Sequence, residues 1–223
     1  MHHLTEFGTK LPRNLTIKTK EHRILVADTL NTTDIILEEN SSLTLVAVLT
    51  KGWTEKQFLN FYLDGENATL NFIAMIIAKG SNEFPFETIS NHEIPRTSAY
   101  YKVRGAMFDN SKVYYKGNLI IKKGAQITDT HLAHHTLMLS RNAKVETIPS
   151  LEILADDVKA GHAATIGRVD EEMLFYFQSR GLDKKTATTS LTRAFMHSDL
   201  EHIPDADARM VVAEMIEKEL NVQ

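Results

Sequence analysis

A four-residue pattern recurs along the chain: Asn or Gly, then Ser or Ala, then any residue, then an aliphatic. It reads NSSL at 40–43, NATL at 67–70, NSKV at 110–113, GAQI at 124–127 and NAKV at 142–145. Asn and Gly tolerate left-handed backbone angles, the small residue fits a tight bend, and the aliphatic turns inward to begin a strand. The pattern therefore specifies corners. Corners stacked coil upon coil make a β-solenoid, which buries its core between successive rungs. The copies lie roughly 27, 43, 14 and 18 residues apart, too irregular for a hexapeptide solenoid. A β-sandwich with Asn and Gly turns is the alternative this pattern leaves open.

Between these corners the sequence is strand-like from about Asn14 to Leu154. IKTKEHRILV (17–26) alternates, LTLVAVL (43–49) is a buried apolar run, and KVYYKGNLIIKKGAQI (112–127) alternates again. KGWTEKQFLNFYL (51–63) is ambiguous. After Gly167 the period changes. Asp170 caps an expected helix carrying Glu171 and Glu172 in its first turn, with Leu174 and Phe177 on one face and Gly181 at its end. Asp183 caps a second, with Ala187, Leu191, Ala194 and Phe195 on its apolar face. A third follows Pro204 and Asp205, with Ala208, Val211, Val212, Met215, Ile216 and Leu220 spaced at three and four. Its stripe serves either for packing on the β body or for docking a partner. The expected organisation is a β core over 1–167 and a helical region over 168–223.

A formal charge of −4 in 223 residues argues against a nucleic-acid surface, which needs a basic excess. There is no cysteine, so disulfides, thiolate metal sites and cysteine nucleophiles are excluded from this chain itself. The start lacks the pattern of a signal peptide, and the apolar tract FIAMIIA (72–78) is too short for a membrane span. A cytoplasmic, non-membrane protein is the expectation.

Candidates for chemistry are few. In HLAHHT (131–136) a helix would bring His131, His134 and His135 to one face, whereas a strand, favoured by the surrounding pattern, turns His134 away from the other two. His92, in NHEIPRTS (91–98), reads as a loop histidine bonded to a backbone carbonyl. Asp156, Asp157 and His162 form an acid/base set only if their loop brings them together; otherwise the two carboxylates satisfy backbone amides at a strand end. A β-helix enzyme acting on polysaccharide through that trio is the outlying reading.

The string LEILADDVKAGHAATIGRVDEEMLFYFQSRGL (151–182) resembles the C-terminal signature of the SufB/SufD family, scaffold subunits of the SUF iron–sulfur cluster assembly machinery. The resemblance rests on Leu151 to Ile153, Asp156 to Lys159, His162 to Gly167, Asp170 to Glu172, Leu174 to Tyr176 and Ser179 to Gly181. It extends upstream through Gly124, Ala125, Thr128, Asp129, Leu137, Leu139, Ser140 and Pro149, and to His92, Pro95 and Thr97. It covers about residues 90–197; the first 90 match only in character.

The resemblance implies a right-handed parallel β-helix followed by helices. It implies a non-catalytic SufD-like subunit that docks the ABC-type ATPase SufC through its C-terminal helices, with Tyr176, Arg180 and Phe195 as contact residues. It also implies pairing through the β-helix with a SufB-like scaffold or a second copy, as a hetero- or homodimer. His162 matches the histidine that SufD-type chains lend to the site of the nascent cluster, a role suited to neutral imidazole as an iron ligand. Relatives commonly read Lys-Cys-Ser-His where this chain has Lys159, Ala160, Gly161 and His162. Thiolates are the usual cluster ligands, so this chain alone is expected to bind no cofactor, and a transient iron–sulfur cluster belongs at a subunit interface. A structural or regulatory binding module without cluster chemistry is the second reading.

Overall fold

In a computed structural model, which describes residues 4–8 and 10–221, thirteen strands are followed by three helices. The strands are β1 (Leu4–Phe7), β2 (Asn14–Ile17), β3 (His22–Ala27), β4 (Thr33–Leu37), β5 (Ser42–Leu49), β6 (Gln57–Leu63), β7 (Thr69–Ala78), β8 (Glu83–His92), β9 (Ser98–Met107), β10 (Lys112–Ile121), β11 (Thr128–Met138), β12 (Lys144–Ile153) and β13 (Val158–Arg168). Odd-numbered strands form one parallel sheet and even-numbered strands from β2 to β12 form the other, each in chain order. A chain that alternates between two parallel sheets in this way is a β-solenoid. The ambiguous stretch 51–63 resolves as a loop into β6.

The irregular spacing of the corner pattern now has a cause. NSSL, NATL and GAQI sit where the chain passes from the even sheet to the odd sheet, whereas NSKV and NAKV sit at the opposite corner. Two interleaved series look aperiodic when read as one. The small residue is the constant element: Ser41, Ala68, Ser111, Ala125 and Ala143 are all buried inside their bends. The left-handed residue is less constant. It is the Asn at Asn40 and Asn67, but Asp109 stands in for Asn110, and Ile127 (φ 61°) takes the place expected of Gly124. Lys20, Asn40, Asn67, Arg96 and Ile127 put a left-handed bend in five successive turns of the even-to-odd corner, and Asp109 puts one at the opposite corner.

The main core fills the space between the sheets, with Leu37, Leu45, Phe61, Phe72 and Tyr101 fully buried. A second core lies on the outer face of the odd sheet. There Ile24, Val26, Val46, Val48, Ile73, Met75 and Ile77 meet the C-terminal helices α2 (Lys184–His197) and α3 (Ala206–Asn221), chiefly through Met196, Ala208, Val212, Ile216 and Leu220, while α1 (Glu171–Ser179) leans on α2. This explains why β5 and β7 read as continuous apolar runs, since both their faces are covered. The stripe of α3 is thus spent on its own β body. The expected caps form: Asp170 Oδ1 accepts from the amides of Glu172 and Met173 at 2.8 and 3.2 Å, Asp183 from Thr186 at 2.8 Å, and Asp205 from Ala208 at 2.7 Å. The face of α2 is rotated from the sequence reading. It buries Ala187, Thr192 and Met196 while Ala194 is exposed, because the helix is seated against β9 and also packs on α1 and α3.

Candidate functional site

The two ends of the solenoid differ. The first rung closes with β1 and β2, each four residues long. The last presents β12 and β13, of 10 and 11 residues, and neither has a strand partner on its outer edge among the described residues. Long unpaired edges are rows of free N–H and C=O groups ready to template another strand, and proteins that do not use them blunt them. Here they run beside exposed Ile148, Ile153, Leu154 and Ile166.

His162 lies in the middle of this end. It pairs in register with Leu132 of β11, a fully buried residue of the interior. Residues aligned across a parallel ladder share a face, so the imidazole stands on the inward face of β13. It is exposed because no further rung covers it. Ala160 occupies the preceding inward position and packs against Ile121, Ala125 and Ala155.

Below the open end the interior becomes polar. Early rungs are lined by aliphatic and aromatic side chains, whereas β8 and β11 add buried Thr88, Ser90, His92, Thr128, Thr130, His134 and Thr136. His92 is not a loop histidine: it ends β8, wholly buried, with Nδ1 at 2.8 Å from Thr97 Oγ1 and Nε2 at 3.0 Å from Ser90 Oγ. The His-x-x-Pro-x-Thr spacing places the Thr97 hydroxyl beside its ring. The strand reading of residues 131–136 holds, with His134 inward, its Nε2 at 3.0 Å from Thr136 Oγ1 and its ring edge-on to Tyr115. Burial lowers both His92 and His134 to about 4, so at neutral pH these imidazoles are uncharged.

The acid/base trio is not assembled. Asp156 and Asp157 are exposed at the corner before β13, where the Asp157 carbonyl accepts from the Ile127 amide. His162 lies five residues further along an extended strand, about 17 Å away by strand rise. Among the described residues no group of three or more His, Asp or Glu side chains is placed to hold a metal ion, and no helix is long and apolar enough to cross a membrane.

The helices α1 and α2 treat the three expected contact residues differently. Nothing in α1 is buried; Met173, Phe175 and Tyr176 face solvent, and the Arg180 guanidinium lies 4.9 Å from the centre of the Tyr176 ring. Phe195 is half-buried, with Arg104 of β9 stacked 4.5 Å over its ring and held in turn by Asp199 at 2.7 Å. Tyr176 and Arg180 therefore form one exposed group, and Phe195 belongs to the seam between α2 and the sheet. Phe175, the most exposed large apolar residue of α1 at 73%, was missed. Its signal was MLFYF, a run apolar on every side of a nine-residue helix, more than one packing face can bury.

Comparison with known proteins agrees with this geometry. The family model described as SUF system FeS cluster assembly, SufBD core domain, matches residues 16–195. The iron–sulfur cluster assembly protein SufD of Escherichia coli K12 is 27% identical over 187 residues, covering 84% of this chain and 44% of that protein. SufD of Bacillus subtilis is 29% identical over 161 residues, 72% of this chain and 36% of the relative. A SufBD family protein of Archaeoglobus fulgidus is 36% identical over 117 residues, 49% and 32% of the two chains. The chain thus spans half or less of the length of these relatives. The match runs through nearly the whole solenoid and on through α1 and most of α2, and this chain belongs to the SufBD family.

Proposed function

We propose that this protein is a non-catalytic, SufD-like subunit of the cytoplasmic SUF machinery, paired through its open solenoid end with a SufB-like scaffold or a second copy of itself. The observation that carries the reading is the pair of long unpaired edges flanking an inward-facing, exposed His162. A partner seated there would extend both sheets and enclose the imidazole. The cluster is the cargo of such a site, with its thiolates supplied by the other chain, because this one has no cysteine. The exposed face of α1, with Phe175, Tyr176 and Arg180, is the docking surface for a SufC-like ABC ATPase. Phe195 supports that surface by fixing α2 against Arg104.

The absence of cysteine favours one further reading, a docking module without cluster chemistry. Co-expression with the ATPase and a SufB-like chain, followed by anaerobic loading with iron and sulfide, separates the two. Co-purification with charge-transfer absorbance that falls in His162→Ala supports the first. Co-purification with absorbance absent or unmoved by His162→Ala leaves the docking module. Failure to co-purify sinks both.

A further inference from the structure

Where the solenoid hands over to the helices, positive charge collects against the acidic balance of the chain. Arg141 stands in the corner between β11 and β12, Arg168 ends β13, and Lys184 opens α2; all three line one cavity of about 220 Å3. Of the other arginines, Arg23, Arg104 and Arg193 are matched, with Glu6, Asp199 and Glu217, whereas Arg13, Arg180 and Arg209 stand apart from one another without a carboxylate partner among the described residues. Arg141, Arg168 and Lys184 have no ion-pair partner among the described residues. The one lining carboxylate is Glu171, so three cations face a single negative charge.

Like charges held around one cleft repel unless an anion joins them. Two of the three are guanidiniums, whose planar forks match oxyanions through paired hydrogen bonds. Ser140, also in the lining, accepts the Asn142 amide at 3.1 Å and keeps its own proton free to donate. The volume is below the roughly 300 Å3 at which organic-ligand pockets begin, and although Met138, Leu139, Val169 and Leu174 share the lining, the small size and the three cations together select a small, highly charged group. We propose that this cleft binds a phosphate-type oxyanion, either free or as the terminal phosphoryl groups of a nucleotide. The proposal is independent of cluster chemistry and of the ATPase partner.

The test is calorimetric titration of the full chain at low ionic strength with inorganic phosphate, pyrophosphate and metal-free ATP. Pyrophosphate is expected to bind, with affinity that falls as KCl is added and drops at least about tenfold in the double variant Arg141→Gln, Arg168→Gln. Lys159→Gln, on the opposite, outward side of β13, should leave it unchanged. Amide resonances of Ser140, Glu171 and Thr188 should shift on binding in the wild-type chain, a readout that does not depend on any variant. ATP binding more tightly than pyrophosphate assigns a nucleotide; equal or weaker binding assigns the free oxyanion. No binding by any of the three, an equal loss in Lys159→Gln, or resonance shifts confined to other parts of the chain would overturn the proposal.

Discussion

Acidification should unfold this protein through its own interior. His92 and His134 are wholly buried in the solenoid, and burial holds each at about 4 against about 6.5 in an unfolded chain. Between those values the unfolded state binds protons that the folded state refuses, so stability falls as pH drops through 6.5 and levels off below about 4. The full shift corresponds to roughly 3 kcal/mol per histidine; at pH 5 each has already lost about 2 kcal/mol, or about 4 together, a large share of the 5–15 typical of a domain. The assay is urea denaturation from pH 7.5 to 5, above the range where carboxylates such as Glu87, raised by burial but lowered on balance by Lys56 and Lys116, begin to contribute. His134 offers the sharper variant because its Nδ1 is buried without a hydrogen-bond partner. His134→Leu should halve the pH slope, while at neutral pH it costs about 1–3 kcal/mol because the buried Thr136 hydroxyl loses its partner. A slope unaffected by His134→Leu, or an imidazole resonance of His134 titrating near 6.5 in the folded protein, would refute the reasoning.

Three further perturbations test the corners and the seam. Ile127 is a β-branched residue at φ 61°, 53% exposed; Ile127→Asn should raise the unfolding free energy by about 1 kcal/mol in urea titrations, because Asn tolerates that angle. At Gly65 a Cβ would stand 2.0 Å from the Glu39 backbone nitrogen, so Gly65→Ala should cost more than about 3 kcal/mol, whereas Gly167→Ala, with open space around it, should fall within about 0.5 kcal/mol of wild type by the same measurement. Asp199→Ala strands Arg104, which is 12% exposed, and should cost about 3 kcal/mol, with faster hydrogen exchange in α2 and α3 than in β5 and β7.

The corners were legible because bends demand particular chemistry: a small residue at Ser41, Ala68, Ser111, Ala125 and Ala143 is required by the space inside the turn and shows in any reading of the chain. Which residue takes the left-handed angle was less legible, since Ile127 and Arg96 adopt it against their preference while the ladder above and below dictates their position. The Arg96 amide donates to Gln126 and the Ile127 amide to Asp157, one rung on in each case, and such bonds override a local preference of 1–2 kcal/mol. Helix caps at Asp170, Asp183 and Asp205 were legible for the opposite reason, being contacts within three residues. The seat of α2 was not, because it depends on Arg104, some ninety positions earlier in the chain.

The candidate site had the same divided legibility, and the division says something about how it works. Read from the residues, His162 entered only as one of an acid/base trio that the structure does not assemble; its place as a candidate ligand came through a resemblance, since a lone histidine in a strand carries no local signature. Its inward orientation depends on the register with Leu132, and its exposure on the absence of a following rung. Neither is a property of the residues around it. An inward-facing side chain becomes a solvent-facing one only at the end of a solenoid, so the last rung can carry a ligand on a wall that is elsewhere sealed core. That position also makes the imidazole conditional: a strand added to β13 would return it to an interior, beside whatever the added chain brings. A site built in this way is completed by assembly, and a single chain could hold every residue of its half while binding nothing alone.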